Sequence, residues 1–194
     1  ALPSSFALCL IPLPLVSALF EHGETSRQDA IAISYATAIY GLGLPAFMMQ
    51  KLLQPLYFAR EDTKTPLRFA VISMLLNAIL AIALLKVMGW IAVAVAASAS
   101  AWVTSILLWI TAKKYGRAAS ALKTSTNRIK RTFLASLVMG IIIWAISQNL
   151  YTAMQTSFER VFFAIALVSV GSTIYLAIVY MLKAFPKNSE KALN

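Results

Sequence analysis

The sequence predicts an all-α polytopic membrane protein with six transmembrane helices. Three observations carry this. The 194-residue chain is 60% hydrophobic and 12% charged, against about 45–50% and about 25% in soluble domains. Six apolar segments follow one another along it, most near the ~20 residues needed to cross a hydrocarbon core. The basic residues behind its formal charge of +10 cluster between those segments, which fits a membrane face and excludes nucleic acid as the partner. One cysteine, Cys9, makes no intrachain disulfide and no Cys-based zinc site. The one histidine, His22, stands beside Glu21 and Glu24 and reads as a solvated loop residue, not a metal ligand.

The first segment, Leu2 to Phe20, contains Pro3, Pro12 and Pro14 and is barely long enough to span. No basic region precedes it, so it does not read as a signal peptide. With Ala1 where a start methionine would stand, the chain reads as the C-terminal part of something longer. Ser26-Arg27-Gln28-Asp29 resembles a capping box, with the acid at the third helical position. The second helix then runs from about Arg27 to Phe58, which at ~1.5 Å per residue exceeds a ~30 Å core. It must tilt, kink or protrude. Pro45 has no N–H for the Gly41 carbonyl and clashes with it, and Gly41 and Gly43 soften the same turn. The spacing predicts a hinge at Gly41, Gly43 and Pro45, with a freed carbonyl that needs another donor.

Thr65 as N-cap and Pro66 in the first helical position start the third helix, which ends near Lys86. Ser73 and Asn77, four apart, read as an interhelical hydrogen-bonding face. The fourth helix, Trp90 to about Ala112, repeats Ala92, Ala96, Ser100 and Thr104 at every fourth position, a stripe for close packing. After the basic stretch Lys113 to Arg131 come a fifth helix, Thr132 to about Gln148, carrying Gly140, and a sixth, Val161 to about Leu182. The sixth has a small, polar waist of Ser169, Gly171, Ser172 and Thr173. Connections holding Arg60, Lys64 and Arg68, the Lys113–Arg131 cluster, and Lys183, Lys187 and Lys191 all fall on one side of the six spans. The excess of Lys and Arg makes that side cytoplasmic, and both ends of the chain with it.

No enzyme is legible. The acids Glu21, Glu24, Asp29, Glu61, Asp62, Glu159 and Glu190 lie in loops or at helix ends, so no carboxylate relay crosses the membrane. There is no phosphate-binding Gly-rich loop and no nucleophile–histidine set, and no cofactor is expected. What remains is the polar inner third of the second helix. Gln50, Lys51 and Gln54 share one side by i, i+3 and i, i+4 spacing, and Tyr40 and Tyr57 extend it. Lys51 has two readings: a snorkelling lysine that fixes helix depth, or a cation lining a cavity for an anionic ligand. The amide pair favours the second, since snorkelling needs no amides beside it.

The run from Gly43 to Ile82, GLPAFMMQKLLQPLYFAREDTKTPLRFAVISMLLNAILAI, resembles the lipid II flippase family (MurJ, also called MviN). Its carrying residues are Lys51, Pro55 and the turn Tyr57, Phe58, Ala59, Arg60, Glu61, Asp62, Thr63, Lys64, Thr65, Pro66. The stretch from Ala1 to Gly23 is similar to the preceding family helix. The resemblance implies helices 9–14 of the fourteen-helix MOP-exporter (MATE-like) fold. Residues 1–115 would hold the last four helices of the C-terminal lobe, 116–131 a basic cytoplasmic linker, 132–183 a helix pair beside a groove for the lipid tail, and 184–194 a cytoplasmic tail. Gly140, Ser169, Gly171 and Ser172 are the groove candidates, and Arg60, Glu61, Asp62, Thr65 and Pro66 form the cytoplasmic motif. The implied function is translocation of undecaprenyl-pyrophosphate-linked peptidoglycan precursor (lipid II) across the bacterial inner membrane. The implied partners are that precursor, membrane lipids and an N-terminal lobe of the same protein. Another MOP exporter, of drugs or O-antigen lipid, and a non-transporting scaffold of cell-wall assembly are the alternatives.

Overall fold

The computed structural model describes residues 1–21, 25–113, 126–150 and 157–181. They form α1 (Leu2–Leu10), α2 (Pro12–Phe20), α3 (Arg27–Phe58), α4 (Lys64–Met88), α5 (Ile91–Ala112), α6 (Thr126–Leu150) and α7 (Ser157–Met181). The last five are each long and apolar enough to cross a membrane. The chain is thus a multi-pass, all-helical membrane protein.

The first expected span is broken. α1 and α2 are bent by 81° at Ile11, whose backbone leaves the helical region at φ −126, ψ 44. A residue before proline is pushed out of the α region, and Pro12 and Pro14 cannot donate to the carbonyls of Leu8 and Leu10. Each half has nine residues, about 14 Å, so neither crosses alone. The Ser5 hydroxyl donates to the Gly41 carbonyl at 2.6 Å and the Cys9 thiol reaches the Ala38 carbonyl at 3.4 Å, so α1 runs antiparallel along the middle of α3. Gly41 lies about 25 Å along the axis from Phe58. α1 therefore starts beside the middle of α3, with Ser5 level with Gly41.

α3 begins as its sequence dictates. Asp29 N–H donates to Ser26 Oγ at 3.3 Å and Ser26 N–H to Asp29 Oδ2 at 3.0 Å, a reciprocal capping box. α3 packs on α5 on one side and on α1 and α2 on another, while α4 packs on the far side of α5 and scarcely touches α3. The stripe Ala92, Ala96, Ser100 and Thr104 is buried, as is a second one, Ala94, Ser98, Ala101, Ser105, Leu108 and Ala112. Small side chains on two faces let α5 serve as the central wall for both neighbours. α6 packs on α1, and α7 on α6 and α2. The fifth expected helix begins at Thr126 and not Thr132, so Lys130 and Arg131 are helical. The rest of the expected 116–131 linker, and the 184–194 tail, lie outside the described residues.

Candidate functional site

Because α3 and α4 diverge from a shared wall, a cleft of about 360 Å³ opens between them. α3 contributes Phe47, Gln50 and Gln54, α4 contributes Pro66, Ala70, Ser73, Met74 and Asn77, and α5 closes the back with Ala97, Ser100, Thr104 and Leu108. The Gln50 amide donates to the Ala101 carbonyl at 2.8 Å. The Ser73 hydroxyl reaches the Ser100 carbonyl at 3.4 Å, so the Ser73–Asn77 face does bond across helices, but through Ser73 alone. Asn77 Oδ1 is buried without a hydrogen-bond partner.

The structure distributes the predicted polar side of α3. Gln50 and Gln54 line the cleft. Lys51, next to Gln50, is exposed and has no ion-pair partner among the described residues. Tyr40 is 41% exposed and lies outside the cleft. Tyr57, expected on the cavity wall, is instead fully buried against Leu53, Leu108 and Ala112. Its hydroxyl donates to the Leu108 carbonyl at 2.6 Å and lies 2.5 Å from Thr111 Oγ1. Tyr57, about two turns on from Gln50 and on the same side of α3, bolts α3 to α5, as Gln50 does through the Ala101 carbonyl. Asn77, read from spacing as an interhelical bonding residue, and Ser100 and Thr104, read as packing, are also lining residues. Polar groups at i, i+4 on two adjacent helices were the available signal.

The turn around Pro45 is held by side chains from both flanking helices. α3 runs unbroken through Pro45 and Pro55. The Gly41 carbonyl, deprived of its helical donor by Pro45, accepts from Ser5. Around it, Ile39 O accepts from Ser98 Oγ at 2.8 Å, Leu42 O from Trp102 Nε1 at 3.0 Å, and Ala46 O from Ser105 Oγ at 2.7 Å. Gly41 and Gly43 allow this approach. A Cβ at Gly41 would stand 3.0 Å from Leu8 Cβ and Cys9 Sγ, and one at Gly43 2.8 Å from Ser98 Oγ.

The basic motif forms the turn between α3 and α4. Glu61 adopts φ 59, the left-handed geometry common after a helix end, which lets Asp62 N–H reach the Tyr57 carbonyl at 3.1 Å. The expected cap is corrected here. α4 starts at Lys64 with Thr63 as its N-cap, so Thr65 lies inside the first turn, where its N–H donates to Asp62 Oδ1 at 3.0 Å. Arg60 is exposed, and Pro66 is buried at the floor of the cleft.

A second opening, of about 330 Å³ and largely apolar, lies where the bend at Ile11 swings α2 onto α7 and leaves α1 apart from it. Ala7, Ile11, Met139, Ile143, Leu167 and Leu176 line it, with Gly171 and Ser172. Gly140 does not: a Cβ there would stand 2.6 Å from Leu10 Cδ1, so it seats α6 on α1. Ser169 is exposed outside the groove. α7 is tied to the bundle at the other end, where Arg160 Nη1 donates to Glu21 Oε1 at 2.6 Å. Among the described residues no three His, Cys, Asp or Glu side chains come together to hold a metal.

Comparison with known proteins agrees with this architecture. The sequence model of the family described as "Lipid II flippase MurJ" matches residues 1–169. A "Probable lipid II flippase MurJ" of Rhizobium meliloti (strain 1021) is 37% identical over 74% of this chain and 26% of its own length. Its counterpart in Vibrio cholerae is 29% identical over 93% of this chain and 34% of its own. A solved "Lipid II flippase MurJ, inward closed conformation" superposes with a TM-score of 0.71 at 25% identity, covering 93% of this chain and 35% of that one. The chain thus spans about a quarter to a third of the length of these relatives. Matched by the family over most of its residues, the chain belongs to the lipid II flippase MurJ family.

Proposed function

We propose that this chain is the C-terminal part of a flippase that carries undecaprenyl-pyrophosphate-linked peptidoglycan precursor across the bacterial inner membrane by alternating access. One observation carries the reading: a polar cleft beside the exposed cation Lys51, and an apolar groove, occur on the same chain. An amphiphile with an anionic head and a long hydrocarbon tail requires both environments. In this reading the helices of residues 1–115 complete a lobe around the head, with an N-terminal lobe opposite. The pair formed by α6 and α7 borders the tail. The turn at Arg60, Glu61, Asp62, Thr65 and Pro66 and the end of α5 at Lys113 face the cytoplasm.

Lys51 is the group we assign to the pyrophosphate. A cation at membrane depth is costly unless it faces water, protein or an anion, and attraction to a phosphate grows as the surrounding dielectric falls. The described acids, Glu21, Asp29, Glu61, Asp62 and Glu159, all stand at helix ends, which disfavours a drug-cation exporter. The turn at Gly41, Gly43 and Pro45 would be the pivot, moving as a unit with the α1 and α5 side chains that hold its carbonyls. The test is translocation by the full-length protein. Lys51→Met should insert and fold but lose most transport, and Lys51→Arg should keep part of it. Full transport by Lys51→Met would make Lys51 a depth anchor and end this assignment.

A further inference from the structure

The cleft between α3, α4 and α5 has a chemistry that the pyrophosphate assignment does not use. Its polar groups are all neutral: amides from Gln50, Gln54 and Asn77 and hydroxyls from Ser73, Ser100 and Thr104. Four of the six are committed elsewhere, Ser73 among them through the Ser100 carbonyl. Gln50 bonds the Ala101 carbonyl, and the Ser100 and Thr104 hydroxyls bond carbonyls of their own helix. Two amides are not: Gln54 makes no hydrogen bond among the described residues, and Asn77 Oδ1 is buried with none. They stand on opposite walls of the cleft, one on α3 and one on α4, beside the apolar faces of Phe47 and Met74. A buried acceptor without a donor, as at Asn77 Oδ1, is costly, and with the half-buried, unbonded Gln54 amide facing the same space of about 360 Å³ it forms a site for a ligand that brings both donors and acceptors.

From this we infer that the cleft is a subsite for the neutral, hydroxyl- and amide-bearing portion of the precursor, held by Gln54 and Asn77. The inference rests on the proposed function but concerns a different part of the ligand. A charged group has nothing to pair with inside the cleft, since no ionisable side chain lines it. A pure hydrocarbon would leave both amides unbonded. A sugar ring or a stretch of peptide supplies hydroxyls or secondary amides, and an aromatic face such as Phe47 packs against either. Lys51, adjacent on α3 and outside the cleft, then meets the pyrophosphate that joins this portion to the tail.

The test uses full-length protein and three ligands: undecaprenyl pyrophosphate, the same lipid bearing sugar alone, and the same lipid bearing sugar and peptide. Asn77→Leu and Gln54→Leu should each weaken one or both decorated ligands about 10-fold and leave undecaprenyl pyrophosphate unchanged. Loss confined to the peptide-bearing ligand would identify peptide as the bound portion; loss for both would identify sugar. Equal weakening of all three ligands, as a merely structural role would give, overturns the inference, as does no weakening of any. Lys51→Met, measured alongside, should weaken all three. If it weakens none while the cleft variants still discriminate, the anion assignment fails and the cleft assignment stands.

Discussion

Ser5 supplies the hydrogen bond that Pro45 removes, and this makes a sharp prediction. The Gly41 carbonyl is buried, its helical donor would be the backbone N–H at position 45, and its donor in the structure is Ser5 Oγ at 2.6 Å. Ser5→Ala leaves that carbonyl with no donor. An orphaned buried acceptor costs about 1–3 kcal/mol, and measured interhelical bonds in membranes reach at most ~1.7 kcal/mol, so the expected loss is about 1–2 kcal/mol. In a Pro45→Ala background the new backbone N–H can bond the Gly41 carbonyl, and Ser5→Ala should then cost less than ~0.5 kcal/mol. The assay is a double-mutant cycle by reversible unfolding of the full-length protein in mixed micelles. The expected coupling is about 1 kcal/mol. Equal cost of Ser5→Ala in the two backgrounds would refute the reasoning, because Ser5 would then not be replacing the proline's missing donor.

Two further predictions concern the ends of the helices. Arg160 and Glu21 join α7 to α2 with side chains only 16% and 11% exposed. Arg160→Ala should cost about 1–3 kcal/mol, less than the ~3–5 kcal/mol of a fully buried pair, and adding Glu21→Gln should recover part of it; purely additive losses in thermal unfolding would mean the pair is not coupled. For orientation, in a Cys9→Ala background a cysteine introduced at Lys113 should be shielded from an impermeant thiol reagent in intact cells and one at Thr25 labelled. The opposite pattern would invert the topology.

Much of this was legible because local physics decided it. The capping box at Ser26 and Asp29 needs only a short range of sequence, and so does the donor lost at Pro45. The small stripe of Ala92, Ala96, Ser100 and Thr104 forecast a helix that others pack upon, and α5 became the central wall. What failed depended on partners. Pro12 and Pro14 were visible, but a run of apolar residues does not reveal whether its prolines bend it slightly or by 81°; that depends on α6 receiving α1 and α7 receiving α2 while α3 packs on both. Tyr57 follows Gln50 and Gln54 at helical spacing, yet it lies on the side that α5 covers, and no periodicity names the covering helix. Thr65 had the composition of an N-cap, but α4 starts at Lys64, after the left-handed turn at Glu61, and Thr65 falls inside its first turn. Of the groove residues, both Gly140 and Gly171 seat helices, against Leu10 and Ile143, but only Gly171, with Ser172, also lines the opening, a distinction that small size alone does not carry.

The central claim is that one chain holds both ends of the lipid-linked precursor, the head at the α3–α4–α5 cleft and the tail in the α1–α6–α7 groove. The most direct measurement is photocrosslinking in membranes containing the full-length protein and labelled precursor. The photoreactive residue is placed in turn at Met74 in the cleft, at Leu176 in the groove, and at Leu85, which lines neither. The account predicts precursor adducts at Met74 and Leu176, with Leu85 at background. Adducts at none of the three, or equally at all of them, would contradict it.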